Sequence, residues 1–317
     1  MRLRTCLFLV GFSMLLLSAP GCQQAPQNPY LDLVIGDGLY YGLRFENGHL
    51  YTADIWNGRI LRIPIDPETG RRAGSPQVVT DSLLGLDAVD GEVLYAVNAA
   101  DPKSVLRFSG GKLQARRFFE EPDRQIAQIA ASQGQLWALV ADRIVGGYRY
   151  SLYRGTFEGG LRLYYLLQNE SLQSPFRGTR PLFALFLHPR RGPIIYNGNT
   201  GSLIQLLGSR TDTTLAPDAG HRIAVLNSDG MLIAPPATAH NGVFVEDDFY
   251  YIGNFYERSG FIRYNVQTQA PELIERADRL FADLIGEEVP VRGLAAVPSA
   301  TGRVFFYLAH DLYRIAR

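Results

Sequence analysis

GLRFENGHLYTADIWNGRILRIPID, from Gly42 to Asp66, carries the pattern that decides the fold. It reads as a strand, a turn at Asn47-Gly48, a strand from His49 to Asp54, a turn at Asn57-Gly58 and a strand from Arg59 to Ile65. Asn-Gly between two alternating apolar runs supplies the positive φ angles that a tight hairpin turn demands. Outward from this unit the chain repeats itself. GLDAVDGEVLYAVNAADPKSVLRF spans Gly85 to Phe108, and IAQIAASQGQLWALV spans Ile126 to Val140. A looser copy runs from Leu182 to Leu207, a clear one from Asn241 to Val266, and a last from Arg292 to Arg317. Tyr51, Tyr95, Trp137, Tyr196, Tyr251 and Phe306 hold matching places, where aromatics would pack between neighbouring modules.

Repeats of this length, made of short strands with almost no helical periodicity, predict an all-β six-bladed β-propeller. An elongated β-solenoid or a paired-sheet sandwich is the alternative arrangement. The sixth unit runs out of chain after about three strands, and Tyr30 to Ile35 (YLDLVI) has no partner nearby. The N-terminal strand is therefore expected to join the last blade, tying the two ends together and covering an open edge. One segment departs from strand periodicity. In Arg276 to Glu288, Leu280, Phe281, Leu284 and Ile285 share a helical face, which predicts a short helix before the sixth unit.

The first 22 residues, MRLRTCLFLVGFSMLLLSAPGC, read as an address. Arg2 and Arg4 make a basic start, and Cys6 to Ser18 an apolar stretch of signal-peptide length. Ala19-Pro20-Gly21-Cys22 resembles a bacterial lipobox. The resemblance implies a lipoprotein signal peptide over residues 1–21, a lipidated Cys22 with a short leash over 22–29, and a propeller domain over 30–317. The chain is then held through its lipid at the extracytoplasmic side of a membrane in the bacterial cell envelope. Simple secretion is the alternative. Cys6 and Cys22 are the two cysteines of the chain, so the expected domain has no disulfide, thiolate metal site or catalytic cysteine. Apolar residues make up 46% and charged residues 20%, ordinary for a globular protein with a large core. The net charge is zero, and no basic patch argues for nucleic acid.

Units of the form NG-strand-LY-strand-GRI-R resemble the gluconolactonase and strictosidine-synthase-like group of six-bladed propellers, which includes the senescence marker protein and the paraoxonases. The likeness is clearest in Gly42–Asp66 and Asn241–Val266. It implies a divalent metal, often calcium, at the central channel, held by carboxylate and amide oxygens at the starts of innermost strands. In lactonases of the group that metal polarises the lactone carbonyl. Asn241 matches the ligand asparagine, whereas Tyr41 stands where a glutamate is common and Arg292 where an aspartate is common. The second unit offers Leu84. Depletion of oxygen ligands, with a cation among the replacements, argues against a metal there. Arg292 near the axis would instead draw an anionic group.

None of the five histidines falls in a metal-binding spacing. His240, beside Asn241, is the candidate for proton transfer, and Tyr41, Asn241 and Arg292 are the channel candidates. Asp54, Asn98, Asn199 and Asn254 recur near the ends of second strands, where such residues either brace turns through the backbone or line a face. A G-x-S-x-G elbow is absent, as is a phosphate-binding loop between strand and helix. The expected function is an envelope lipoprotein whose propeller binds a partner protein or small ligand. A lactonase-like or esterase-like hydrolase using the channel is the alternative.

Overall fold

The computed structural model describes residues 29–145, 147–167, 183–188, 190–197, 202–206, 221–225, 242–255, 258–280 and 292–315. Strand β1 (Leu31–Ile35) comes first. The first blade follows as β2 (Tyr40–Glu46), β3 (His49–Asp54), β4 (Arg59–Pro64) and β5 (Gln77–Thr80). The second holds β6 (Ala88–Asp90), β7 (Val93–Val97), β8 (Ser104–Ser109) and β9 (Lys112–Arg117). The third holds β10 (Arg124–Ser132), β11 (Gln135–Ile144), β12 (Gly147–Thr156) and β13 (Gly160–Leu167). The fourth is built from β14 (Phe183–His188), β15 (Gly192–Asn197), β16 (Ser202–Gln205) and β17 (His221–Val225). The fifth contains β18 (Gly242–Val245), β19 (Asp248–Phe255), β20 (Arg258–Asn265) and β21 (Ala270–Arg276). Helix α1 (Ala277–Leu280) precedes β22 (Gly293–Ser299), β23 (Gly302–Leu308) and β24 (Leu312–Ile315).

Among the described residues these strands form six four-stranded antiparallel sheets. The sixth sheet has the order β1-β24-β23-β22, so the N-terminal strand does complete the last blade. It pairs through Leu31↔Ile315, Asp32↔Arg314 and Leu33↔Tyr313, and the Asp32 carboxylate meets the Arg314 guanidinium. The inner strands β2, β6, β10, β14, β18 and β22 each contact the next, and β22 returns to β2. The modules therefore close into a ring, and the solenoid and sandwich alternatives fall away.

Burial follows the ring. Each blade interface has its own apolar core. Tyr51, Ala53 and Ile60 of the first blade meet Leu86, Val89 and Leu94 of the second. At the closing interface, Val34, Val297, Phe306 and Leu312 meet Tyr40, Leu50 and Ile63. The six aromatics named above are all buried between blades. Five face the following blade, but Tyr251 packs back against the fourth. In the fifth blade Tyr250 faces forward, against Phe305 at a centroid distance of 4.4 Å. Counting outward from the hairpin turn, Tyr250 is the true match of Tyr51, and a shift of one residue in a strand moves a side chain to the other face.

Local turn chemistry is mixed. Asn47 and Gly48 have φ angles of 47° and 76°, the two positive values expected of this hairpin. The turn at Asn57-Gly58 is wider, since only Gly58 has a positive φ. Asp54 holds it by accepting from the Asn57 backbone N–H at 3.2 Å, Asn57 Nδ2 at 2.8 Å and Arg59 Nε at 3.0 Å. The predicted helix is seen as the single turn of α1, where Leu280 is buried against the fifth and sixth blades; residues 281–288 lie outside the described set.

Polar ties cross several interfaces. The Asp90 carboxylate accepts from Gln133 N at 3.0 Å and Gly134 N at 2.6 Å, and Gln128 Oε1 accepts from Leu185 N at 2.8 Å. Between the fourth and fifth blades, Asp247 binds Arg190 and Arg191 at 3.2 and 2.9 Å. Beside it, buried His188 accepts from Arg190 N and Arg191 N, both 3.1 Å from Nδ1. A backbone N–H only donates, so this nitrogen must be unprotonated.

Two outcomes follow from this packing. Val34 is 9% exposed and Leu33 on the same strand is 60% exposed. Val34→Asp is expected to cost about 2–4 kcal/mol in urea unfolding, and Leu33→Asp less than about 0.5 kcal/mol. Equal midpoints would show that β1 does not seal the ring. Burial holds the His188 pKa below its ordinary 6.5. The unfolded chain then binds the extra proton first, so this contribution to stability is full above pH 6.5 and is lost as the pH falls through the depressed folded value. Chemical unfolding at pH 7 and pH 5 should show a drop that His188→Asn lacks, because the amide oxygen can accept the same backbone donors without titrating.

Candidate functional site

Ring closure brings six inner strands around one axis. There they bound a cavity of about 220 Å³. Its wall is contributed by Leu43, Arg44 and Phe45 of β2, Ala88 and Val89 of β6, and Ala130 and Ala131 of β10. Leu185 to Leu187 of β14, Gly242 to Phe244 of β18 and Leu294 to Ala296 of β22 complete it. Residues as far apart in the chain as Leu43 and Ala296 thus share one space, as expected for a propeller axis.

Arg44 is the charged side chain in this described wall. It stands in register with Tyr51 and points towards the second blade. Its Nε donates to the Asp87 carbonyl at 3.0 Å and its Nη1 to the Leu43 carbonyl at 2.9 Å. Desolvation lowers its pKa to about 10, opposed by the charges of Asp87 and Tyr41. At neutral pH the guanidinium still carries its proton. The Asp87 carboxylate is itself engaged, with Oδ2 accepting from Val97 N at 2.8 Å.

The sequence-derived candidates sit at the neighbouring edge. Gly42 N donates to the Arg292 carbonyl at 3.3 Å, so Arg292 and the residue after Tyr41 lie where the first and sixth blades join. Both precede the cavity-lining stretches of their strands, Leu43–Phe45 and Leu294–Ala296. The Arg292 charge acts on the buried Tyr307, whose phenol is pushed up by desolvation. The Tyr41 phenol acts on Arg44. Cys22, His240 and Asn241 lie outside the described residues. Asp54 and Asn98 brace turns: Asn98 Oδ1 accepts from Ala100 N at 3.1 Å, as Asp54 does for its own turn.

Arg44 escaped notice in the sequence, although a signal was present. It lies seven residues before Tyr51, as Ala88 lies before Tyr95 and Ala130 before Trp137. Aligning the first three units on their aromatics exposes one cation where the others carry alanine.

A hard dication fits this wall poorly. Calcium takes six to eight oxygen ligands, carboxylates prominent among them, whereas the described lining side chains offer no oxygen and one guanidinium. Among the described residues no three His, Cys, Asp or Glu side chains gather as a metal site. Adding calcium to about 1 mM, or a chelator, is expected to leave the thermal midpoint unchanged, since a native-state ligand would raise it by mass action. A calcium-dependent rise would assign the oxygen ligands to residues outside this wall.

No protein-family model matches the chain, and no curated protein is significantly similar to it. Solved structures are similar in shape. The calcium-binding protein regucalcin from Agrobacterium tumefaciens strain C58 matches with a TM-score of 0.51 at 11% identity, covering 90% of this chain and 92% of its own. YCF48 bound to a D1 peptide matches at 0.46 and 13% identity, covering 95% of this chain and 100% of its own. A luciferin-regenerating enzyme matches at 0.44 and 10%, covering 91% and 95%. At such identities likeness extends to architecture alone. The chain is a six-bladed β-propeller with the fold seen in regucalcin.

Proposed function

We propose that this chain is an exported, lipid-anchored cell-envelope protein that holds a small ligand in the axial cavity of its propeller. The observation that carries the ligand reading is the composition of the cavity. Six strands bound an open concavity of about 220 Å³ whose described lining side chains are apolar except for Arg44, with polar backbone sharing the exposed surface. Apolar concavities with a few convergent polar groups are the usual form of small-molecule sites. The leader supports the envelope: a basic start, an apolar stretch and Cys22 after small residues.

A lactonase-like or esterase-like hydrolase needs a nucleophile or base and a group to take the developing oxyanion charge. Among the described lining residues there is no carboxylate, imidazole or hydroxyl to act as that base. Binding is therefore the reading preferred over turnover.

Two substitutions test the two halves of this proposal. Cys22→Ala should abolish labelling by radioactive palmitate and move the protein from the membrane to the soluble fraction. Ala296 lines the cavity and also packs on the core between the fifth and sixth blades, so Ala296→Trp fills the space at some cost in stability, and binding is read once circular dichroism shows the variant folded. Small molecules that raise the thermal midpoint of the wild type should then lose that effect by about tenfold or more in concentration. Hydrolysis of simple lactones by the wild type, lost in Ala296→Trp, would favour the enzyme instead.

A further inference from the structure

We propose that Arg44 makes the axial cavity a receptor for a small carboxylate, the guanidinium taking the acid group and the apolar wall taking its hydrocarbon body. The proposal rests on the cavity being a ligand site and adds the chemical class of the ligand.

The residues of the other five cavity stretches, from Ala88 on β6 to Ala296 on β22, are all apolar. One strand in six therefore departs, and it departs to a full charge. Placing a cation in a largely desolvated wall is costly unless something compensates it. Compensation within the described protein is partial. Two of the five guanidinium N–H donors reach carbonyl oxygens, and no carboxylate forms an ion pair with Arg44 among the described residues. Desolvation holds its pKa down at about 10, with the nearby Asp87 charge opposing that fall. An anion beside the remaining donors would complete the compensation.

The same two carbonyl bonds aim the group. With Nε on Asp87 and Nη1 on Leu43, the guanidinium plane is held before any ligand arrives, so little side-chain freedom is lost on binding. Tyr41, whose phenol lies near enough to act on the Arg44 charge, flanks it.

The wall selects among anions. A phosphate dianion calls for several donors or a second cation, and the described lining provides one guanidinium. A monoanionic carboxylate matches a single fork. Phe45, Phe186, Phe244, Val89 and Leu294 supply surface for an apolar body. The volume, about 220 Å³, lies below the roughly 300–1,000 Å³ of sites for larger molecules, so the acid is small.

The test uses the full-length protein in detergent, with benzoate, hexanoate, their neutral amides and inorganic phosphate as titrants in calorimetry. Benzoate or hexanoate should bind, and the matching amide should bind about tenfold or more weakly, because hydrogen bonds to a charged partner are lost. Arg44→Gln should weaken the acids to the level of the amides and leave the amides unchanged, while Ala296→Trp should weaken both. Equal binding of acid and amide to the wild type would overturn the carboxylate assignment and leave the cavity reading standing; this comparison needs no variant to fold. Tighter binding of phosphate than of either acid, or full acid binding by folded Arg44→Gln, would also overturn it. Failure of every titrant, acid and amide alike, would overturn it together with the cavity reading.

Discussion

Each sheet of this protein has two apolar faces, and a four-stranded sheet cannot cover both by itself. Every blade must lie between two others, so the only arrangement without a bare face is a closed ring. The six interfacial cores are the direct expression of that requirement. The last of them, where Val34 and Phe306 pack on Tyr40 and Leu50, joins the ends of the chain. Closure also carries polar ties: Arg72 donates to the Val34 carbonyl at 2.7 Å, and Ala300 N to the Glu68 carbonyl at 3.2 Å. Because β1 comes from the start of the chain and β24 from its end, the ring is held by pairing between the two most distant parts of the sequence.

The axial cavity is a consequence of the same closure. Six inner strands cannot converge to a point, and whatever side chains they present define the space left between them. Among the described residues the side chains of that wall are apolar apart from Arg44. The architecture is shared with a calcium-binding propeller, while the described lining side chains here supply no oxygen ligand. Fold and chemistry are set by different residues: the interfacial aromatics and aliphatics set the ring, and a few positions on the inner strands set what it can hold.

The polar residues set within the blades divide by what they touch. Asp54 is buried and charged, but its oxygens are spent on Asn57 and Arg59 at a turn. His188 is buried as well, and its ring nitrogen anchors the turn that follows. Arg44 is the exception, because its bonds to two carbonyls orient the charge without neutralising it.

The sequence alone determined the modules and their closure. Alternating strands, the Asn47-Gly48 hairpin and the unpartnered YLDLVI segment are local signals, and local backbone preferences are written in neighbouring residues. It determined less where a one-residue shift matters. The face taken by Tyr251 depends on counting from a turn whose position only strand pairing fixes. Which residues meet at the axis was decided by tertiary structure. Arg44, Asp87 and Tyr41 come together because the ring sets one inner strand against the next, and no spacing along the chain encodes that approach.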